Sequence, residues 1–122
     1  HMDGRLKVLK DLIARTPIDI VEAVHPPPMG DLPVGEALAA WPDKSVWVGF
    51  PSAIYDLGSD ATRDYTLDLL RDAGTGERVV IEASTENIVS NENLLTLSSV
   101  LENAELPLSE EKIARIAESL SR

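Results

Sequence analysis

The chain has 122 residues and a formal net charge of −10, from 21 acidic and 11 basic side chains. This length allows one domain, and a hydrophobic content of 43% excludes an intrinsically disordered chain. The acidic surplus repels phosphate groups, so it argues against a nonspecific nucleic-acid binder and against electrostatic docking to a membrane. With no cysteine, the chain has no disulfides, no thiolate nucleophile and no cysteine ligands for zinc.

The cellular compartment is predicted from two missing features, a membrane-spanning segment and a signal peptide. No apolar run approaches the roughly 20 residues that a membrane-spanning helix needs. The first residues of the chain also lack the apolar core of a secretory signal peptide. We therefore expect a cytoplasmic protein.

Apolar spacing predicts an alternation of helices and strands. Residues at helical spacing predict amphipathic helices, and short runs rich in β-branched residues predict buried strands. Prolines interrupt the pattern after each early element because proline lacks the N–H that a helix or a strand ladder needs. In chain order we predict a helix around residues 6–13, a strand at 18–24, a loop at 25–31, a helix at 34–41, a strand at 45–50, a helix from 59, a strand at 79–83, a helix carrying Leu94, Leu97 and Leu101, and a terminal helix within 104–122.

Residues at the predicted helix ends have the chemistry of caps. Ser59 and Ser109 can each accept a hydrogen bond from a free N–H of the first helical turn. Gly74 can close the third predicted helix, because glycine tolerates the left-handed backbone found at helix C-termini. That helix is expected to face inward through Ala61, Tyr65, Leu69 and Leu70.

The order of elements predicts an α/β fold. Strands separated by helices form a parallel sheet with right-handed crossovers, here with about three strands and four to five helices. Such a sheet is normally covered on both faces or closed into a barrel, and three strands are few for either arrangement. We therefore expect residues 1–122 to be a single domain or the later part of something larger.

Candidate site residues follow from the geometry of parallel sheets, in which ligands bind at the carboxyl ends of the strands. Polar residues just after each predicted strand are the candidates, although the same residues can simply cap helices and satisfy loop backbone. His1 and Asp3 join them if the first residues belong to the native sequence. The candidate catalytic residues are Glu22, His25, Glu82 and Glu86, and the candidate ligand-binding residues are His1, Asp3, Ser52, Tyr55, Ser84, Thr85 and Asn87.

Two groupings within this set have chemical meaning. Glu22 or Asp31 could orient the His25 imidazole, which would then act as a general base or hold a metal; a solvated loop histidine is the alternative. Glu82 and Glu86 bracket the end of the third strand. If Glu82 points into a barrel lumen it needs a partner or a raised pKa, whereas a structural ion pair is the alternative interpretation.

Taken in order, several segments resemble the C-terminal part of the uroporphyrinogen decarboxylase superfamily, which also includes corrinoid-linked methyltransferases. The resemblance covers residues 1 to about 103 and depends on the series of motifs more than on any one of them. The segments that carry it are HMDG at the start, residues 18–22, the Pro-rich loop 25–31, Trp47-Val48-Gly49-Phe50, Asp56-Leu57-Gly58 and Glu92-Asn93-Leu94.

The resemblance implies the C-terminal portion of a (β/α)8 barrel with its ligand, small or tetrapyrrole-like, above the strand ends. Its known chemistries are porphyrinogen decarboxylation, which needs no cofactor, and methyl transfer with zinc and a corrinoid. The sequence departs from both branches. Ser84-Thr85-Glu86 stands where decarboxylases have Gly-His-Gly, and His1-x-Asp3 stands where the methyltransferases hold zinc through His-x-Cys. We expect the isolated chain to be catalytically inactive.

Two alternatives lie outside enzymology. Unpaired parallel strands invite pairing with another copy, so the chain could be a half-barrel that forms a homo-oligomer through exposed sheet edges. It could also be a compact three-stranded α/β module that binds a small ligand. Antiparallel strands, or a His1 far from the strand ends, would favour the second alternative.

Overall fold

The computed structural model describes residues 1–84 and 87–121. None of the helices in these two ranges is long and apolar enough to cross a membrane. The first regular element is a 3-10 turn at Lys7–Leu9. It is followed by α1 (Lys10–Ala14), β1 (Ile20–Val24), α2 (Val34–Ala40), β2 (Ser45–Gly49), α3 (Ser52–Tyr55), α4 (Ser59–Asp72), β3 (Val79–Glu82), α5 (Asn91–Glu102) and α6 (Glu110–Leu120).

The three strands form an open parallel sheet in the order β1-β2-β3. In the centre of the sheet, Val46 of β2 pairs with Val21 of β1 on one side and with Val79 of β3 on the other. The predicted α/β class with three parallel strands is therefore confirmed. Each observed strand is one or two residues shorter than predicted: β1 begins two residues later, and β2 and β3 each end one residue earlier. Pro51 lacks the N–H that would extend β2 further.

The chain divides into two compact units, of which the first comprises residues 1–51 and 78–84. It contains the sheet, α1 and α2, and α2 packs on β2. Val34 and Ala37 of α2 are fully buried, as are Val46 and Val48 of the sheet and the Trp41 indole. The core of this unit is thus largely aliphatic, as the low aromatic content of the chain predicts.

The two faces of the sheet differ in exposure. Residues alternate between the faces along each strand, so Ile20, Trp47 and Val80 share the face opposite to that of Val46 and Val48. Ile20 remains 46% exposed and Val80 44% exposed, whereas Val46 and Val48 have no exposed surface. One face of the sheet is therefore packed and the other keeps apolar surface in contact with solvent.

Lys44, at the amino end of β2, is only 1% exposed. Its Nζ donates to the backbone carbonyls of Thr16 and Ile18, both at 2.8 Å, and lies 3.5 Å from the carboxylate of Asp43. The ammonium group therefore satisfies two carbonyls in the turn between α1 and β1. The buried ammonium group thereby stabilises that turn.

Arg78 has a similar role just before β3. Its guanidinium donates to the carbonyls of Trp41 and Lys44, both at 2.8 Å, and to that of Leu38 at 3.1 Å. These carbonyls lie at the end of α2 and in the turn that follows, where the helix leaves its last C=O groups without partners. Arg78 thus fixes the turn from α2 into β2.

The second compact unit comprises residues 52–77 and 87–121 of the described chain, and it contains α3 to α6. Its longest helix, α4, packs against α3, α5 and α6. Thr62 and Thr66 are fully buried there, and each hydroxyl donates to the carbonyl four residues earlier. Ala61 and Tyr65, predicted to face inward, are only half-buried, because the buried stripe is displaced by one position.

The capping predictions are confirmed at two of three positions. The Ser109 side chain caps α6 by accepting from the N–H three residues later, and Gly74 follows α4 with φ +62°. The prediction for Ser59 is wrong: it is the first residue of α4, and Gly58 with φ +98° precedes it. Glycine adopts this backbone conformation without strain, so the chain can enter the helix one residue earlier. Ser90, which was not predicted, caps α5.

The two tyrosines lead to a prediction at alkaline pH. Burial raises the pKa of Tyr55, and burial together with the charge of Asp72 raises the pKa of Tyr65 to about 12. Because the unfolded chain ionises its phenols near pH 10 and the folded chain does not, the free energy of unfolding should fall as pH rises from about 10 to 12. Phenolate absorbance of the native protein should rise only above pH 10, and Tyr55→Phe should leave the Tyr65 transition unchanged. A phenol that titrates normally in the native protein would contradict this expectation.

Candidate functional site

Four of the predicted site residues lie together in the first unit, at the carboxyl end of β1. The Nδ1 atom of His1 is 2.5 Å from a carboxylate oxygen of Glu22, and the Nε2 atom of His25 is 3.3 Å from a carboxylate oxygen of Asp3. These are two imidazole–carboxylate pairs, and each joins a residue of the first three to a residue in or just after β1. We call His1, Asp3, Glu22 and His25 the imidazole–carboxylate cluster.

A bulge in β1 sets the position of this cluster. Val21 pairs with Val46 and Val24 pairs with Val48, so β1 has one more residue than β2 over this stretch. Ala23, within the bulge, has φ +60°, a conformation that costs a non-glycine residue energy. A bulge turns the following side chains relative to the sheet, so it determines where Glu22 and His25 point.

The first residues of the chain bind to this bulge through their backbone. The N–H of Met2 donates to the carbonyl of Glu22 at 2.9 Å, and the N–H of Asp3 donates to that of Ala23 at 3.1 Å. These two bonds carry the side chain of Asp3 to His25. The bulge and the N-terminal segment therefore build the cluster together.

Two glycines make room for His25. A Cβ atom at Gly49, the last residue of β2, would overlap the imidazole ring of His25. A Cβ atom at Gly30 would overlap the backbone carbonyl of the same histidine, and the Gly30 N–H donates to the carbonyl of Pro26 at 3.2 Å. The ring thus lies directly over the end of β2, and the Pro-rich loop closes back onto it.

The cluster has one sheltered member. The His25 side chain is 19% exposed, against 31% for Glu22, while Asp3 and His1 are largely exposed. Asp3 lies at ion-pair distance from the His25 Nε2 atom and can orient the imidazole. The pair can therefore take part in proton transfer or contact an anionic ligand. The predicted partner Asp31 instead accepts a hydrogen bond from the Lys7 N–H at 3.0 Å.

Glu82 ends β3 beside the cluster. It is the register partner of Gly49, and its carbonyl accepts a hydrogen bond from the N–H of Phe50 at 2.9 Å. Because paired residues on neighbouring strands project from the same face, Glu82 belongs to the sheet face over which the His25 ring lies. Glu82 and Ser84 are both half-buried. The remaining candidates of this segment, Thr85 and Glu86, lie outside the described residues.

Three predicted ligand-binding residues belong to the second unit. Ser52 and Tyr55 lie in α3, a short helix that the sequence did not predict, and both side chains are buried. The amide of Asn87 is 3.5 Å from the Ser52 hydroxyl. Asn93, which sequence reasoning missed as a polar core residue, donates to the Tyr55 carbonyl at 2.8 Å and joins α5 to α3. These contacts give Tyr55 and Asn93 a packing role.

The donor set does not match the zinc centre of the methyltransferase branch. That centre uses sulfur ligands, and the chain has no cysteine. Over the described ranges, no three His, Asp or Glu side chains converge on a point where a metal ion could bind. The imidazoles and carboxylates of the cluster are arranged as separate pairs. We therefore derive no step through zinc or a corrinoid.

Comparison with known proteins adds no relative to this picture. No family model matches the chain, and no match was found among the curated proteins or the solved structures.

Proposed function

We propose that this chain is a β/α segment of a uroporphyrinogen-decarboxylase-like barrel, and that its strand ends bind a small, tetrapyrrole-like ligand through His25. The observation that supports this best is the imidazole–carboxylate cluster. His1 and Asp3 meet their respective partners Glu22 and His25, each more than 20 positions later in the sequence, at the carboxyl end of a parallel strand, where α/β barrels bind their ligands.

The chemistry of the cluster favours decarboxylation over methyl transfer. Loss of CO2 breaks a C–C bond and leaves an electron pair on carbon, which must then take up a proton. An imidazolium held by a carboxylate can donate that proton, and in this site His25 is the donor and Asp3 the positioning residue. The same positive charge would attract the carboxylate substituents of a tetrapyrrole. Methyl transfer through a zinc-bound thiol lacks its sulfur ligands here.

The three strands of this chain supply only part of a ring of eight, so we expect it to bind the ligand without turning it over. A second candidate function is self-association through the sheet. β1 and β3 are its edge strands, and Ile20 and Val80 on its exposed face are both more than 40% exposed. Parallel sheets normally cover such a face.

Uroporphyrin, a stable oxidised form of the porphyrinogen, is the probe for the proposed site. We expect it to bind the wild-type chain, with a Kd about tenfold weaker in His25→Gln, because the variant loses the imidazole that is proposed to contact the ligand. Quenching of porphyrin fluorescence measures the Kd, and the ring resonances of His25 in NMR spectra report contact at the site.

Arg115→Gln is the matched control, because it removes an exposed positive charge from α6, a helix of the second unit that contributes no residue to the cluster. The control should bind uroporphyrin as the wild type does. Equal affinity of the wild type and His25→Gln, or an equal loss in Arg115→Gln, would contradict the proposed site.

A further inference from the structure

The segment formed by the 3-10 turn Lys7–Leu9 and α1 carries two apolar side chains that face solvent. Val8 is 83% exposed and Leu12 is 58% exposed, although Leu6 and Ile13 of the same segment are buried. Val8 lies in the 3-10 turn and Leu12 four residues later in α1, a spacing that puts side chains on the same side of helical backbone. We treat the two as one apolar strip. Exposed apolar residues are common on protein surfaces, so the groups that flank the strip must show whether it is a contact surface.

Two arginines without partners flank this strip. Arg5 and Arg15 are exposed, and neither forms an ion pair or a side-chain hydrogen bond within the described chain. This is unusual in a protein of net charge −10, where carboxylates are abundant. We call Arg5, Val8, Leu12 and Arg15 the α1 face; these residues span the 3-10 turn, α1 and the positions just before and after them. Over the same described ranges, a carboxylate or a backbone carbonyl is bound by each of the other arginines, namely Arg63, Arg71, Arg78 and Arg115.

The second unit contains a groove that combines leucine side chains with charged ones. It lies among α4, α5 and the end of α6, has a volume of about 360 Å³, and includes Leu95 and Leu120 among its lining. Leu95 is 66% exposed. Asp60, Arg63 and Glu92 also line it; Arg63 already pairs with the Asp60 carboxylate at 3.3 Å, whereas Glu92 has no ion-pair partner in the described chain. We call this the α4–α5 groove.

We propose that the α1 face of one copy docks into the α4–α5 groove of a second copy. The apolar strip matches the exposed leucine of the groove, and the unpartnered arginines match Glu92, the lining carboxylate that has no ion-pair partner in the described chain. Because the two surfaces are different, the contact is head-to-tail, and it builds short open chains or a ring. The surfaces are small, so the association should be weak, with a Kd of about 10 to 100 μM.

Charge reversal tests this contact on the full chain by sedimentation velocity. Arg15→Glu and Glu92→Arg each place like charges across the contact, so each should weaken self-association at least about fivefold. The double variant Arg15→Glu/Glu92→Arg restores opposite charges between copies and should recover most of the wild-type affinity. Association of the wild type should also weaken when salt rises from about 50 to 500 mM, because exposed charges are screened.

Arg115→Glu is the matched control, since it makes the same charge change at an exposed arginine of α6 outside both surfaces. It should change the Kd less than about twofold. Unchanged circular dichroism spectra establish that each variant is folded. A wild type that stays monomeric at about 1 mM would overturn the proposal, as would a double variant no better than the single ones. Undiminished association of Arg15→Glu would also overturn it and would point to sheet edges.

Discussion

Replacement of Lys44 by methionine is expected to lower the free energy of unfolding by about 2–4 kcal/mol. The methionine side chain fills similar space but cannot donate, so the carbonyls of Thr16 and Ile18 lose the bonds they accept from Nζ. Because Lys44 is only 1% exposed, water cannot readily replace the missing donor. Denaturation in urea, followed by tryptophan fluorescence, measures the loss.

The chain offers a closely matched control in Lys112. Its Nζ also donates to two backbone carbonyls, those of Glu105 and Pro107, at 3.3 and 2.9 Å, but it does so in an exposed position. Lys112→Met should cost less than about 1 kcal/mol, because water can satisfy both carbonyls. An equal loss in the two variants would mean that burial is not what makes Lys44 important.

Replacement of Gly49 by alanine should displace the His25 ring and lower the free energy of unfolding by about 1–3 kcal/mol. The added methyl group would occupy space that the imidazole fills, so either the ring or the end of β2 must move. Urea denaturation measures the loss of stability. The chemical shifts of the His25 ring, and weaker uroporphyrin binding, would report the displaced site.

A double-mutant cycle with His25→Ala tests whether this effect comes from the ring. When the imidazole is absent, the methyl group at position 49 meets free space, so Gly49→Ala should cost much less in that background. The coupling between the two substitutions should reach at least about 1 kcal/mol, as is typical of residues in contact. Additive effects would show that the cost arises from the backbone of β2 and would remove Gly49 from the site.

The sequence predicts which residues belong to the cluster better than it predicts how they pair. The strand-end rule selects Glu22 and His25, and the structure brings both into the cluster. The partner of His25 was predicted as Glu22 or Asp31, whereas the structure pairs it with Asp3. The bulge at Ala23 makes this difference, because one extra residue changes the direction of every side chain that follows it. No residue type in the sequence signals that bulge.

The sequence alone determined the α/β class and the parallel order of the strands. These features depend on local periodicity, on proline and glycine positions, and on the crossover that a helix imposes between two strands. Only the tertiary structure decided that Lys44 is buried and that His25 lies over Gly49. Both features depend on pairings between distant segments, whose register local propensity does not encode. The strands that carry the site can be predicted from local sequence. The contacts within the site form only when the N-terminal segment packs against the sheet.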